Sequence, residues 1–117
     1  MERAELEAQL AAFKGAEATY PFGPDALVYK VRGKMFALVA QEDAPASVTF
    51  KCVPEDGELL VSQFGAVTPG YHMNKRHWLT VVLDGDVPDT LLRDLARDSY
   101  DLVLKSLTRA LRAELAE

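Results

Sequence analysis

A-L-V-Y-K-V-R-G-K-M-F-A-L-V-A, residues 26 to 40, decides the fold. Two runs rich in β-branched and aromatic residues, 26 to 31 and 34 to 40, flank Arg32-Gly33, a two-residue connection of the kind that closes a β-hairpin. Downstream, Q-E-D-A-P-A (41 to 46) is acidic and contains proline, so it reads as a turn. S-V-T-F-K-C-V (47 to 53) then sets Val48, Phe50 and Cys52 on one face of a third strand. H-W-L-T-V-V-L (77 to 83) has the same character and ends at Asp84-Gly85, which predicts a fourth.

Helical periodicity surrounds these strands. Over residues 2 to 14, Leu6, Leu10 and Phe13 recur at intervals of four and three, and Gly15 stops the helix. Pro21-Phe22-Gly23 reads as the entry to the first strand, with Phe22 inserted in the core. Pro54 opens a short helix through Phe64, since proline suits a first helical position and Glu55 and Asp56 suit the positive end of the helix dipole, although Gly57 argues against it. Residues 65 to 76 read as a loop. Pro88 starts another short helix, and Asp98 or Ser99 caps a separate final one. In that last helix Tyr100, Val103, Leu107, Leu111 and Leu115 form a buried stripe, while Asp101, Lys105, Arg109 and Arg112 face water.

This order predicts an α+β domain, an antiparallel β-sheet with N- and C-terminal helices packed on one face. The other face is left open. Lys30, Lys34 and Lys51 alternate with apolar neighbours, so the pleat is expected to send all three to the open side.

With 117 residues and 49% hydrophobic content, the chain suits a single domain spanning residues 1–117. Its longest apolar stretches fall far short of the roughly 18 residues of a membrane span, and its acidic, amphipathic start is unlike a signal peptide. A cytoplasmic protein without a membrane partner is expected. Cys52 is the lone cysteine, so neither an internal disulfide nor a thiolate zinc site is expected. The net charge of −5 argues against affinity built from many phosphate contacts. The acid, however, is concentrated at the two ends. Residues 1 to 25 carry two basic and five acidic side chains and residues 81 to 117 five and eight, whereas residues 30 to 80 carry six and five.

Within that middle lies P-G-Y-H-M-N-K-R-H-W (69 to 78), which holds the one tryptophan, both histidines and an adjacent Lys75-Arg76 pair. The pair suits phosphates, Asn74 and His72 suit sugar or base edges, and Tyr71 or Trp78 offers a stacking surface. Alternatively Pro69-Gly70 shapes a turn, the aromatics pack on the sheet and the cations are solvated. His72 and His77 bracket the loop without a carboxylate between them, so no metal is expected. Glu2, Glu5 and Glu7 in the first helix are read as serving the dipole and solubility. Motifs such as G-x-S-x-G, G-x-G-x-x-G and G-x-x-x-x-G-K are missing, and Cys52 reads as a buried small hydrophobe. Neither an enzyme nor a cofactor is expected.

P-F-G (21 to 23), K-V-R-G-K-M-F-A-L (30 to 38), K-C-V-P-E (51 to 55), P-G-Y-H-M-N-K-R-H-W (69 to 78), L-D-G-D-V-P-D (83 to 89) and S-Y-D-L-V (99 to 103) follow one another in an order that resembles the MmcQ/YjbR family of small bacterial proteins. The resemblance implies a CyaY-like α+β fold and a function described as DNA-binding, attached to a double-wing arrangement of β-hairpins. Lys30, Arg32, Lys34, Lys51, Tyr71, His72, Asn74, Lys75, Arg76 and His77 are the candidate nucleic-acid-binding residues, with modest and mainly non-specific affinity expected. The alternative partner is a protein, with Tyr71 and Trp78 as apolar anchors of a regulatory adaptor. The sequence specifies no oligomeric interface.

Overall fold

A computed structural model describes residues 1–42, 44–70 and 74–116, with residue 116 described for its backbone alone. Helix α1 spans Arg3–Ala12 and is followed by strands β1 (Ala16–Thr19), β2 (Ala26–Val31), β3 (Lys34–Ala40) and β4 (Ser47–Lys51). Helix α2 (Pro54–Gln63), strands β5 (Val67–Pro69) and β6 (Trp78–Val82), and helices α3 (Asp89–Ser106) and α4 (Arg109–Ala116) complete the order. The six strands form one antiparallel sheet in the order β1-β2-β3-β4-β6-β5.

The 26 to 40 hairpin forms as predicted. Arg32 (φ 49) and Gly33 (φ 82) both take the left-handed conformation that a tight two-residue turn requires. Val31 pairs with Lys34, but Lys30 pairs with Met35 and Tyr29 with Ala37, so Phe36 is the extra residue of a bulge. That bulge turns Phe36 into the core with no exposure. There its ring meets Tyr100 edge-on at 5.3 Å, while Phe13 stacks on Tyr100 at 4.7 Å. Such pairs contribute about 0.5–1.5 kcal/mol each beyond burial.

Strand alternation assigns the faces. Leu27, Tyr29, Val31, Ala37, Val39, Val48, Phe50, Leu79 and Val81 join Leu6, Leu10, Leu92, Ala96 and Val103 in one core, so α1 and α3 cover a single face. Opposite them runs the row Val28, Leu38, Thr49, Thr80 and Thr68, in which the Thr49 and Thr80 hydroxyls lie 2.9 Å apart.

Several expectations are corrected. Strand β1 was unforeseen because A-E-A-T is almost wholly exposed and carries no apolar alternation, and three-residue β5 lies in the segment read as loop. With β1 at the sheet edge, residues 20 to 25 become a surface connection. Phe22 is accordingly 72% exposed rather than a core residue, and Gly23 (φ 102) supplies the turn. Asp98 and Ser99 cap nothing. They lie within continuous α3, and the break falls at Leu107–Thr108, where the Thr108 hydroxyl accepts the Leu111 N–H at 3.3 Å. The predicted stripe nonetheless holds across the break, since Tyr100, Val103, Leu107 and Leu115 are buried. Gly57 is tolerated in α2 for a reason of space: a Cβ there would stand 2.8 Å from Cys52 Sγ.

Candidate nucleic-acid interface

The site begins where β3 and β4 part. Their ladder runs from Val39–Val48 to Ala37–Phe50, and the Phe36 bulge removes the next acceptor from reach. Ser99, fully buried on α3, fills the gap: its Oγ donates to Phe36 O at 2.5 Å and accepts the Lys51 N–H at 2.8 Å. The last residue of β4 is thereby fixed while Cys52 N–H donates to His77 O at 2.8 Å. Thus the chain before β6 is tied to the chain after β4.

Asn74 shapes this junction. Its carbonyl accepts the N–H groups of His77 (3.1 Å) and Trp78 (3.0 Å), and its Oδ1 accepts the Arg76 N–H at 3.0 Å. The side-chain oxygen proposed for a sugar or base edge is therefore engaged in a turn. Lys75, Arg76 and His77 are exposed around it. Gly70 closes the other side, where its N–H donates to Trp78 O at 2.8 Å and a Cβ would meet Trp78 Cβ at 2.6 Å.

Trp78 is half-buried and pairs with Lys51 across the β4–β6 ladder, on the face opposite the core. Lys30 pairs with Met35 on that same face. Glu17, its partner across β1, is the acidic neighbour there. Lys34 departs from the expected trio. It pairs with core-facing Val31, and its Nζ donates to Ser106 O at 3.2 Å and Ser106 Oγ at 3.4 Å at the end of α3. Arg32 is likewise turned toward the C-terminal helix, 3.1 Å from Glu114. Tyr71 and His72 lie outside the described residues.

Two hollows flank α2. One, about 210 Å³, is lined by Cys52, Pro54, Val61, Pro69, Trp78 and Leu79, with Lys75, Arg76 and Glu58 among its polar members. The other, about 290 Å³, lies toward α3 and gathers Asp56, Asp98 and Asp101 around Leu60 and Leu95, with Lys51 and Lys105 in the same lining. Burial pushes the Asp98 carboxyl above its ordinary value, helped by the Asp94, Asp101 and Asp56 carboxylates. The first hollow sets Lys75 and Arg76 against one carboxylate and suits an anion better than the second, where three carboxylates accompany Lys51 and Lys105. Burial also raises the Cys52 thiol, helped by the Asp56 carboxylate. Among the described residues no group of three or more His, Cys, Asp or Glu side chains is placed to hold a metal ion. No helix among them is long and apolar enough to cross a membrane.

The fold and site define an α+β protein with an open antiparallel sheet and a small basic cluster at one end. The chain belongs to the YjbR family, whose model matches residues 11–102. It is similar to the uncharacterized protein YjbR of Escherichia coli strain K12, at 35% identity over 100% of this chain and 99% of that one. It is also similar to the uncharacterized protein YbdF of Escherichia coli O157:H7, at 37% identity over 80% of this chain and 76% of that one. Among solved structures, a Deinococcus radiodurans protein with the domain designation DUF419 superimposes with a TM-score of 0.89 at 39% identity, covering 97% of this chain and 86% of that one. A Pseudomonas syringae protein gives a TM-score of 0.78 at 26% identity, covering 87% and 98%.

Proposed function

We propose that this protein is a non-enzymatic binder of an anionic partner, DNA first, and that Lys30, Lys51, Lys75 and Arg76 supply the phosphate contacts. The observation that carries the reading is the grouping of Lys51, Lys75 and Arg76 around Trp78 at one end of the sheet, with Lys30 on the same face. The DNA-binding description attached to the family supports the choice of anion. The acidic helices α1 and α3 lie on the other face, so net charge understates what this end offers.

So few cations give a modest, largely sequence-independent affinity, about 10⁻⁴ to 10⁻⁶ M at physiological salt. The test is anisotropy of a labelled DNA titrated with wild type, Lys75→Glu/Arg76→Glu and Lys34→Glu. The double variant is expected to abolish binding, whereas Lys34→Glu, altered at the helical end, retains most of it. Equal loss in both variants would sink this placement.

A protein partner is the second reading, favoured by the exposed apolar side chains of α2. Val61, in the lining of the groove that includes Trp78, is 36% exposed, and Leu59, elsewhere on the same helix, is 55% exposed. Such an interface responds weakly to salt and collapses on Trp78→Ala.

A further inference from the structure

A surface that only neutralises phosphates has no use for an apolar groove, yet one lies beside Trp78. Cys52, Pro54, Val61, Pro69 and Leu79 line it, and Trp78 belongs to the same lining. Its volume of about 210 Å³ is smaller than drug-sized sites, which start at roughly 300 Å³, and matches a single ring system. Lys75 and Arg76 belong to the same lining, so an occupant that combines a flat apolar ring with neighbouring negative charge fits both parts. An unpaired nucleotide has that chemistry. A duplex keeps its bases in the stack and offers the groove nothing.

Resting on the DNA reading, we infer that the strand bound here is single-stranded, with one unpaired base seated in the groove against Trp78 and its flanking phosphates on Lys75 and Arg76. Stacking on an aromatic side chain tolerates every base, which agrees with sequence-independent binding. The backbone approaches closely on both sides of the groove: a Cβ at Gly57 would stand 2.8 Å from Cys52 Sγ, and one at Gly70 2.6 Å from Trp78 Cβ.

The chain's single tryptophan makes the inference measurable. The full chain would be titrated with an oligothymidylate, an abasic oligomer of the same length, a hairpin duplex and free thymidine monophosphate. Trp78 fluorescence and competition against a labelled strand would be followed together. The expected result is quenching of Trp78 by the oligothymidylate and about tenfold tighter binding of it than of the abasic strand or duplex. All three would weaken in Lys75→Ala/Arg76→Ala. Equal, salt-sensitive binding of all three polymers without quenching would overturn base seating and leave the phosphate reading standing. Thymidine monophosphate binding as tightly as the strand would assign the groove to free nucleotides and overturn the single-strand assignment. No binding of any of them would overturn both readings.

Discussion

The buried Ser99 hydroxyl joins α3 to the backbone of Lys51, accepting its N–H at 2.8 Å while donating to Phe36 O. One side chain thus satisfies two strand groups left unpaired by the β3 bulge, and in doing so fixes the end of the sheet that carries the basic cluster. Ser99→Ala leaves a buried donor and a buried acceptor without partners. It is expected to lower the free energy of unfolding in urea by about 1–3 kcal/mol, with the m-value unchanged. A loss below about 0.5 kcal/mol would mean that the bridge is dispensable.

Gly57 and Cys52 are coupled. In most helices Gly→Ala stabilises by about 0.5–1 kcal/mol. Here the added Cβ meets Cys52 Sγ at 2.8 Å in a buried position. Gly57→Ala is therefore expected to destabilise the wild type and to become neutral or stabilising in a Cys52→Ala background. A coupling of about 1 kcal/mol in the double-mutant cycle is predicted. Additive effects would contradict the contact.

Asp86 staples the turn before β5 to the turn after β6, since its carboxylate accepts the Gly65 N–H at 2.8 Å and the Ala66 N–H at 2.9 Å. The Ala66 and then the Gly65 N–H hold its pKa below the ordinary value of 3.8. A depressed folded-state pKa makes the stabilisation complete above 3.8 and loses it as pH falls through the folded value. Wild type should melt above Asp86→Ala at neutral pH, with the gap narrowing as the pH falls below 3.8. A gap independent of pH would mean that the charge contributes nothing.

Gly70→Ala drives a Cβ into Trp78, whose Cβ would lie at 2.6 Å and whose backbone C and O would lie at 3.0 Å. Backbone atoms have no rotamer to escape into. The variant is expected to lose about 1–3 kcal/mol and to shift Trp78 emission to longer wavelength as its surroundings become more solvated. Unchanged emission and stability would show that β5 and β6 separate without effect.

Much of this arrangement is legible in the chain. The Arg32-Gly33 hairpin, the Val48-Phe50-Cys52 face and the Pro54 helix carry strong local signals, and the apolar periodicity of residues 100 to 115 survives a helix break that it does not reveal. What local pattern misses is set by tertiary contact. Strand β1 exists because β2 offers an unpaired edge, and Ser99 looks like a cap until the β3 bulge gives its hydroxyl two partners. Lys34 alternates with apolar residues as Lys30 does, but the two-residue turn pairs it with core-facing Val31, on the face opposite Lys30, and its Nζ reaches Ser106. The Lys51–Trp78 pairing is a long-range register that no spacing encodes.

The central claim, that Lys75 and Arg76 meet phosphates, is tested most directly by the salt dependence of DNA binding. The logarithm of the association constant would be measured against the logarithm of salt concentration for wild type and Lys75→Ala. A steep linear fall is predicted, with its slope reduced by about one in the variant. A flat dependence, or the same slope in both proteins, would contradict the account and leave the loop around Trp78 to a protein partner.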